Sequence, residues 1–177
     1  IRLRRRRPNP ESIARSREVV DEELRSGRFT TDWTFAKERI LVDYICEREP
    51  EFTTTLQALQ IGETVILANS AELFCELGLE MKQESPFART FVVELANGCI
   101  GYVAPEHAFE PQEGGYETVL TSYSTAEVGA GAKLTRASIE LAETLTPGEE
   151  PTAVVPQDED AAEVEAWSYG VLGPDVD

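Results

Sequence analysis

Within the stretch 65–117, three residues have types and surroundings suited to chemistry: Glu72, Tyr102 and Tyr116. A short apolar run, Val65-Ile66-Leu67-Ala68, ends in Asn69-Ser70-Ala71-Glu72 and passes into Leu73-Phe74-Cys75-Glu76-Leu77, where the apolar residues switch to helical spacing. The pattern predicts a strand leading into a helix over 71–81, with Glu72 in its first turn. A carboxylate so placed stands at a sheet edge, where ligands commonly bind, and could act as a metal ligand or a base. It could equally be a partner of the helix dipole. Tyr102 falls on the second of two strand-like runs, 90–96 and 99–104, separated by Asn97-Gly98; that dipeptide predicts a hairpin with a two-residue turn. Tyr116 follows Gly114-Gly115 in a loop. Either phenol could take part in chemistry, or could be an amphipathic core residue with a satisfied hydroxyl.

The elements that must position these residues can be read in chain order. Residues 1–7 hold five arginines, and a basic strand entering an acidic domain is expected to be neutralised by that domain's carboxylates rather than by nucleic acid. Pro8-Asn9-Pro10-Glu11 is a helix start with Asn9 as the cap, and the helix should run to about Arg25 with Gly27 ending it. A second helix is capped by Thr31 or Asp32. Trp33, Ala36, Ile40, Leu41, Tyr44 and Ile45 recur at helical spacing and mark its core face. A strand over 52–61 and a tight turn at Gly62-Glu63 then form an antiparallel hairpin with 65–68. A last helix over about 129–145 buries Leu134, Leu141 and Leu145, although Gly129 and Gly131 weaken its start. From residue 146 onward there are nine acidic residues, four prolines and no lysine or arginine, which reads as a largely disordered tail to which Trp167 and Tyr169 could add local docking.

Composition bounds the function. The chain has 177 residues, 41% of them hydrophobic, enough for one domain with a real core plus tails. It does not start with Met, which points to a processed or excised N-terminus and a region upstream. No signal-peptide core or membrane span is visible. A net charge of −17 argues against wholesale nucleic-acid binding, since a phosphate backbone would be repelled. Cys46, Cys75 and Cys99 are too few and too far apart for a disulfide framework or a structural zinc site, and read as small core residues. His107 is the single histidine, so an ordinary catalytic zinc site cannot be assembled from this chain alone. A nucleophile elbow, a Walker loop and an HExxH pair are all missing. From the residues alone, the fold class is α/β, with a mixed sheet containing antiparallel hairpins and flanked by helices.

The order of the pieces resembles the C-terminal part of the catalytic domain of neutral/alkaline non-lysosomal ceramidases, in particular their shorter bacterial relatives. The resemblance is carried by Val65-Ile66-Leu67-Ala68 leading to Ala71-Glu72-Leu73-Phe74, by Asn97-Gly98-Cys99-Ile100-Gly101-Tyr102-Val103, and by Gly114-Gly115-Tyr116-Glu117. It implies a ceramidase-like portion over 1–145 and an acidic tail over 146–177. It also implies that Glu72 and Tyr102 are ligands of a catalytic zinc, that Tyr116 contacts the substrate, and that the substrate is an N-acyl, ceramide-like lipid. A secreted or cell-surface location is implied as well. Ser70-Ala71 stands where the family has Pro-Gly. The family's nucleophilic serine and zinc-binding histidines have no counterpart here, so the upstream half of the domain would supply them and the isolated segment would be inactive. No organic cofactor is implied. The competing reading is a non-catalytic relative, or an interaction module that uses its acidic tail.

Overall fold

The computed structural model describes residues 1–148, so the acidic-tail reading lies outside the described residues from position 149 onward. A short strand, β1 (Arg2–Arg4), is followed by two helices, α1 (Pro10–Ser26) and α2 (Thr31–Arg48). The start of α1 is the expected one: Asn9 accepts from the Ser12 N–H at 2.8 Å, Pro10 sits at the first position and Gly27 ends the helix. The cap of α2 is Thr30, whose side chain accepts from the Trp33 N–H, and not Thr31 or Asp32 as expected. Its predicted core face is only partly inward. Ala36, Val42 and Cys46 are buried, while Leu41 and Tyr44 are exposed. The chief neighbour of α2 is α1, and a single helix covers only a stripe of its surface.

The run expected as one strand over 52–61 divides into β2 (Glu51–Thr53) and β3 (Gln57–Ile61), because the two halves find different partners. β2 pairs antiparallel with β1, and β3 forms the expected antiparallel hairpin with β4 (Thr64–Ala68). After β5 (Glu72–Leu73) comes α3 (Cys75–Glu84), which begins three residues beyond Glu72. Glu72 is therefore in a strand and not in the first helical turn.

The predicted Asn-Gly hairpin does not form. β6 (Arg89–Val93) lies parallel to β4, giving the sheet order β3-β4-β6, and β7 (Tyr102–Val103) lies parallel to β5. The backbone around Asn97-Gly98 bonds instead to the buried turn Asn69-Ser70-Ala71. The N–H groups of Leu95, Ala96 and Ile100 donate to the carbonyls of Ala71, Asn69 and Ser70 at 3.2, 2.8 and 2.9 Å. Three long-range bonds replace the ladder that the hairpin would have supplied. The result is nevertheless an α/β fold with mixed sheets and an antiparallel hairpin, as expected.

One face of the β3-β4-β6 sheet packs on α3 and α4 (Ala130–Glu143). Val65, Leu67, Leu77, Met81 and Leu134 form the centre of this core, with Leu3 of β1 closing it. Each such side chain contributes about 1.5–3 kcal/mol relative to exposure. Leu141 and Leu145 are only half-buried. Gly131 weakens α4 by propensity, but a Cβ there would lie 2.8 Å from Leu77 and 2.9 Å from the Ala104 carbonyl; the helix starts on glycine because it must approach this closely.

Cys46 is buried as expected, but Cys75 and Cys99 are exposed, one opening α3 at the rim of the sheet and the other in the loop before β7. The arginines pair with the domain's own carboxylates: Arg2 and Arg4 with Glu51, Arg5 with Glu49, and Arg7 with Asp43 and Glu47. Arg6 differs, donating to the backbone carbonyls of Thr118 and Ser124 at 2.7 and 3.0 Å. Among the described residues no helix is long and apolar enough to cross a membrane.

Candidate functional site

Glu72 and Tyr102 are direct partners in the parallel register of β5 and β7. Their strands are neighbours about 4.8 Å apart, and paired residues in register project from the same face. The register is held by backbone bonds from Glu72 N–H to the Gly101 carbonyl at 3.0 Å and from Phe74 N–H to the Val103 carbonyl at 3.1 Å. Gly101 is the residue that permits it. Its φ is 73°, and an added Cβ would overlap the Tyr123 carbonyl oxygen. No L side chain fits both that conformation and that approach.

Tyr116 stands on a 3₁₀ turn, Tyr116–Thr118, and is 70% exposed. Its ring meets that of Tyr102 edge-on, with centroids 5.5 Å apart and planes at 85°, a favoured aromatic geometry. The Tyr102 phenol is held well above its ordinary ionisation range, first by hydrogen bonding with Tyr116 and then by hydrogen bonding with Glu72, which both favour its protonated form. The three residues named from the sequence thus meet in one place. The 3₁₀ turn is fixed from the far end of the chain by Arg6 through its bond to Thr118. Burial pushes the Arg6 guanidinium down from its ordinary value, and its charged edge lies 4.9 Å from the centre of the Phe109 ring.

The three line an open hollow of about 410 Å³ together with Glu94 and Glu117, and Leu73, Phe74 and Cys75 complete its wall. Glu94 was not legible as a site residue. The parallel pairing of β6 with β4 carries the chain past Val93 to the same rim as Glu72, whereas the expected hairpin would have sent it elsewhere. Glu117 could have been found from its place beside Tyr116.

None of Glu72, Glu94 and Glu117 has a cationic partner among the described residues. His107 pairs with Glu76 at 3.4 Å on the surface. Among the described residues, no group of three or more His, Cys, Asp or Glu side chains is arranged to hold a metal ion. The two donors that share one register position are the Glu72 carboxylate and the Tyr102 phenol. One carboxylate and one phenol are by themselves too few donors for an ordinary zinc site.

No protein-family model and no curated protein sequence matches the chain. One solved structure, a ceramidase complexed with C2, aligns with it at a TM-score of 0.42 and 19% identity. The alignment covers 58% of this chain and 16% of that one, so the chain spans far less than two thirds of that protein's length. A likeness of this degree leaves the fold and the activity to be read from the site.

Proposed function

We propose that this chain forms the oxygen-donor edge of a zinc-dependent amide hydrolase of ceramidase type, acting on an N-acyl, lipid-like substrate. The observation that carries the reading is the register pairing of Glu72 with Tyr102, with Tyr116 edge-on to the second residue at the rim of one hollow. The Glu72 carboxylate and the Tyr102 hydroxyl would hold the zinc, and histidines from the upstream half of the domain would complete it. When bound, the metal supplies polarisation of the amide carbonyl and activation of the attacking oxygen.

The chain's own residues prepare for that chemistry. Tyr102 keeps its proton and orients Glu72, so the carboxylate is presented in one direction. Tyr116 is exposed and offers a ring face and a hydroxyl to a substrate entering the hollow. Arg6 holds the turn that carries it.

The test is metal content and amidase activity, measured on this chain and on one extended N-terminally. The 177-residue chain is expected to bind zinc weakly and to lack amidase activity, since one carboxylate and one phenol make a poor zinc site. In the extended chain zinc should be stoichiometric. Loss of even an outer partner of a metal ligand costs about 10–100-fold in affinity, so Glu72→Gln and Tyr102→Phe should each exceed that. Full zinc occupancy in both variants would remove the ligand assignment.

A non-catalytic reading is favoured by one feature. Ser70-Ala71 is locked by its own bonds, Ser70 Oγ to the Ala96 carbonyl at 3.1 Å and Ala71 N–H to the Asn69 side chain at 2.9 Å. This turn has a structural role whether or not a metal follows it.

A further inference from the structure

The groove between α1 and α2 has a volume of about 370 Å³ and shares no lining residue with the hollow at Glu72. α1 lines it with Ser12, Arg15, Ser16 and Val19, and α2 with Asp32, Phe35, Ala36 and Arg39. Each set recurs at i, i+3, i+4 and i+7, so each belongs to one helix face. The helices are joined by residues 27–30 and run antiparallel, which puts Arg39 level with Ser12 and Arg15, and Asp32 level with Val19. Val19 and Asp32 accordingly meet again in a neighbouring hollow, beside Glu18, Glu22 and Glu23. The groove is thus basic at one end, apolar in the middle and acidic at the other.

The groups at the basic end lack partners. In a chain of net charge −17, Arg2, Arg4, Arg5 and Arg7 all pair with carboxylates. Among the described residues Arg15 and Arg39 have neither an ion pair nor a hydrogen bond. Ser16 is only 2% exposed, yet its hydroxyl has no hydrogen-bond partner among the described residues. Ser12 differs, since its hydroxyl donates to the Asn9 carbonyl at 2.9 Å. A buried hydroxyl is costly unless something bonds it. Water meets that need but leaves two like charges at one end of the groove without a counter-charge. An anion meets both.

We propose that this groove binds an organic monocarboxylate with an apolar body, its carboxylate held by Arg15, Arg39 and the Ser16 hydroxyl and its body lying along Phe35, Ala36 and Val19. Guanidinium groups match a carboxylate through paired N–H donors. Asp32 narrows the class. It lies seven residues before Arg39, about 10 Å along α2, and repels a second negative charge at the far end of the ligand. Inorganic phosphate would leave the apolar wall unused.

Isothermal titration calorimetry of the 177-residue chain with octanoate tests this. Octanoate should bind saturably, while inorganic phosphate and octylammonium should not. Arg15→Gln and Arg39→Gln should each weaken octanoate by about tenfold or more, the size of one hydrogen bond to a charged group. That loss also places the ligand in this groove and not in the hollow at Glu72. Ser16→Ala should weaken octanoate several-fold without lowering the thermal midpoint of the free chain, because the hydroxyl has no partner there to lose. Arg17→Gln removes an exposed charge of α1 outside the groove and should leave the affinity unchanged. Absence of saturable octanoate binding would overturn the proposal. So would phosphate or octylammonium binding as tightly, an Arg17→Gln loss equal to that of Arg39→Gln, or a fall in the midpoint of Ser16→Ala, which would give the hydroxyl a structural role.

Discussion

The helical hairpin and the rim that carries Glu72 and Tyr102 are built by opposite means. In α1 and α2 the decisive contacts are close in sequence. Asn9 caps Ser12, Thr30 caps Trp33, and Glu23 reaches seven residues on to bond the Thr30 N–H at 2.7 Å. At the rim they are distant: Glu72 to Gly101, Asn69 to Val93, Arg6 to Thr118. Local construction tolerates change at single positions, since each turn of helix is repeated by the next. The rim has no such redundancy. Two backbone bonds hold β5 to β7, and one side chain, Arg6, ties the turn that carries Tyr116 to the far end of the chain.

The sharpest way to break this contrast is Gly101→Ala. The methyl group would overlap the Tyr123 carbonyl in a backbone conformation that already disfavours it. We expect a loss of about 3–5 kcal/mol, the range in which backbone strain and overpacking combine. Chemical denaturation followed by fluorescence and by helical circular dichroism would measure it. A loss under about 1 kcal/mol would mean that the β5-β7 pair is not held by this approach.

Next in size is Arg6→Ala, which leaves the Thr118 and Ser124 carbonyls without their donor. An unsatisfied buried acceptor costs about 1–3 kcal/mol, and the 3₁₀ turn bearing Tyr116 should loosen. The edge-on contact between Tyr102 and Tyr116 gives an independent readout, since ring-current shifts of the two phenols should collapse. Intact shifts in a destabilised variant would limit Arg6 to a role in packing. On the hairpin the counterpart is Leu41→Ala, at a position expected to be core and found exposed. It should change stability by less than about 0.5 kcal/mol, and a cost above about 2 kcal/mol would restore the periodicity reading of α2.

The same division explains what could be read in the sequence. Caps, helix ends and the Gly62-Glu63 turn are local signals, and they placed α1, α2 and the β3-β4 hairpin to within a few residues. Glu72, Tyr102 and Tyr116 do lie together, although the elements assigned to the first two were wrong in part. Asn97-Gly98 is a strong hairpin signal, yet three long-range backbone bonds to residues 69–71 outweighed it. Glu94 was invisible for the same reason: a parallel pairing partner cannot be recognised from turn chemistry. The exposure of Cys75 and Cys99 likewise depends on where the rim lies, and no local pattern carries that.

The smallest effect expected is also the one that separates the two regions by pH. In the hairpin, the Glu23 carboxyl lies below its ordinary value because the Thr30 hydroxyl and N–H donate to its charged form. A group lowered in the folded state contributes stability above its unfolded value, and this is lost as pH falls through the folded value. At the rim the sign is reversed. Tyr102 is raised by Tyr116 and Glu72, so its contribution is complete below the ordinary phenol value near 10 and is lost as pH climbs through the higher folded value. Acid should therefore loosen the link between α1 and α2 while leaving the Tyr102 interactions in place, and strong alkali should do the opposite. Near-ultraviolet absorbance follows phenol ionisation directly. The wild-type chain should show one tyrosine titrating later than the rest, a component that Tyr102→Phe removes. Tyr116→Phe should move it back toward the ordinary range by more than Glu72→Gln does, since the phenol partner has the larger influence. An unchanged titration in Tyr116→Phe would mean that the two hydroxyls do not meet in solution, and the hollow would lose the contact that joins its substrate-facing residue to its ligand pair.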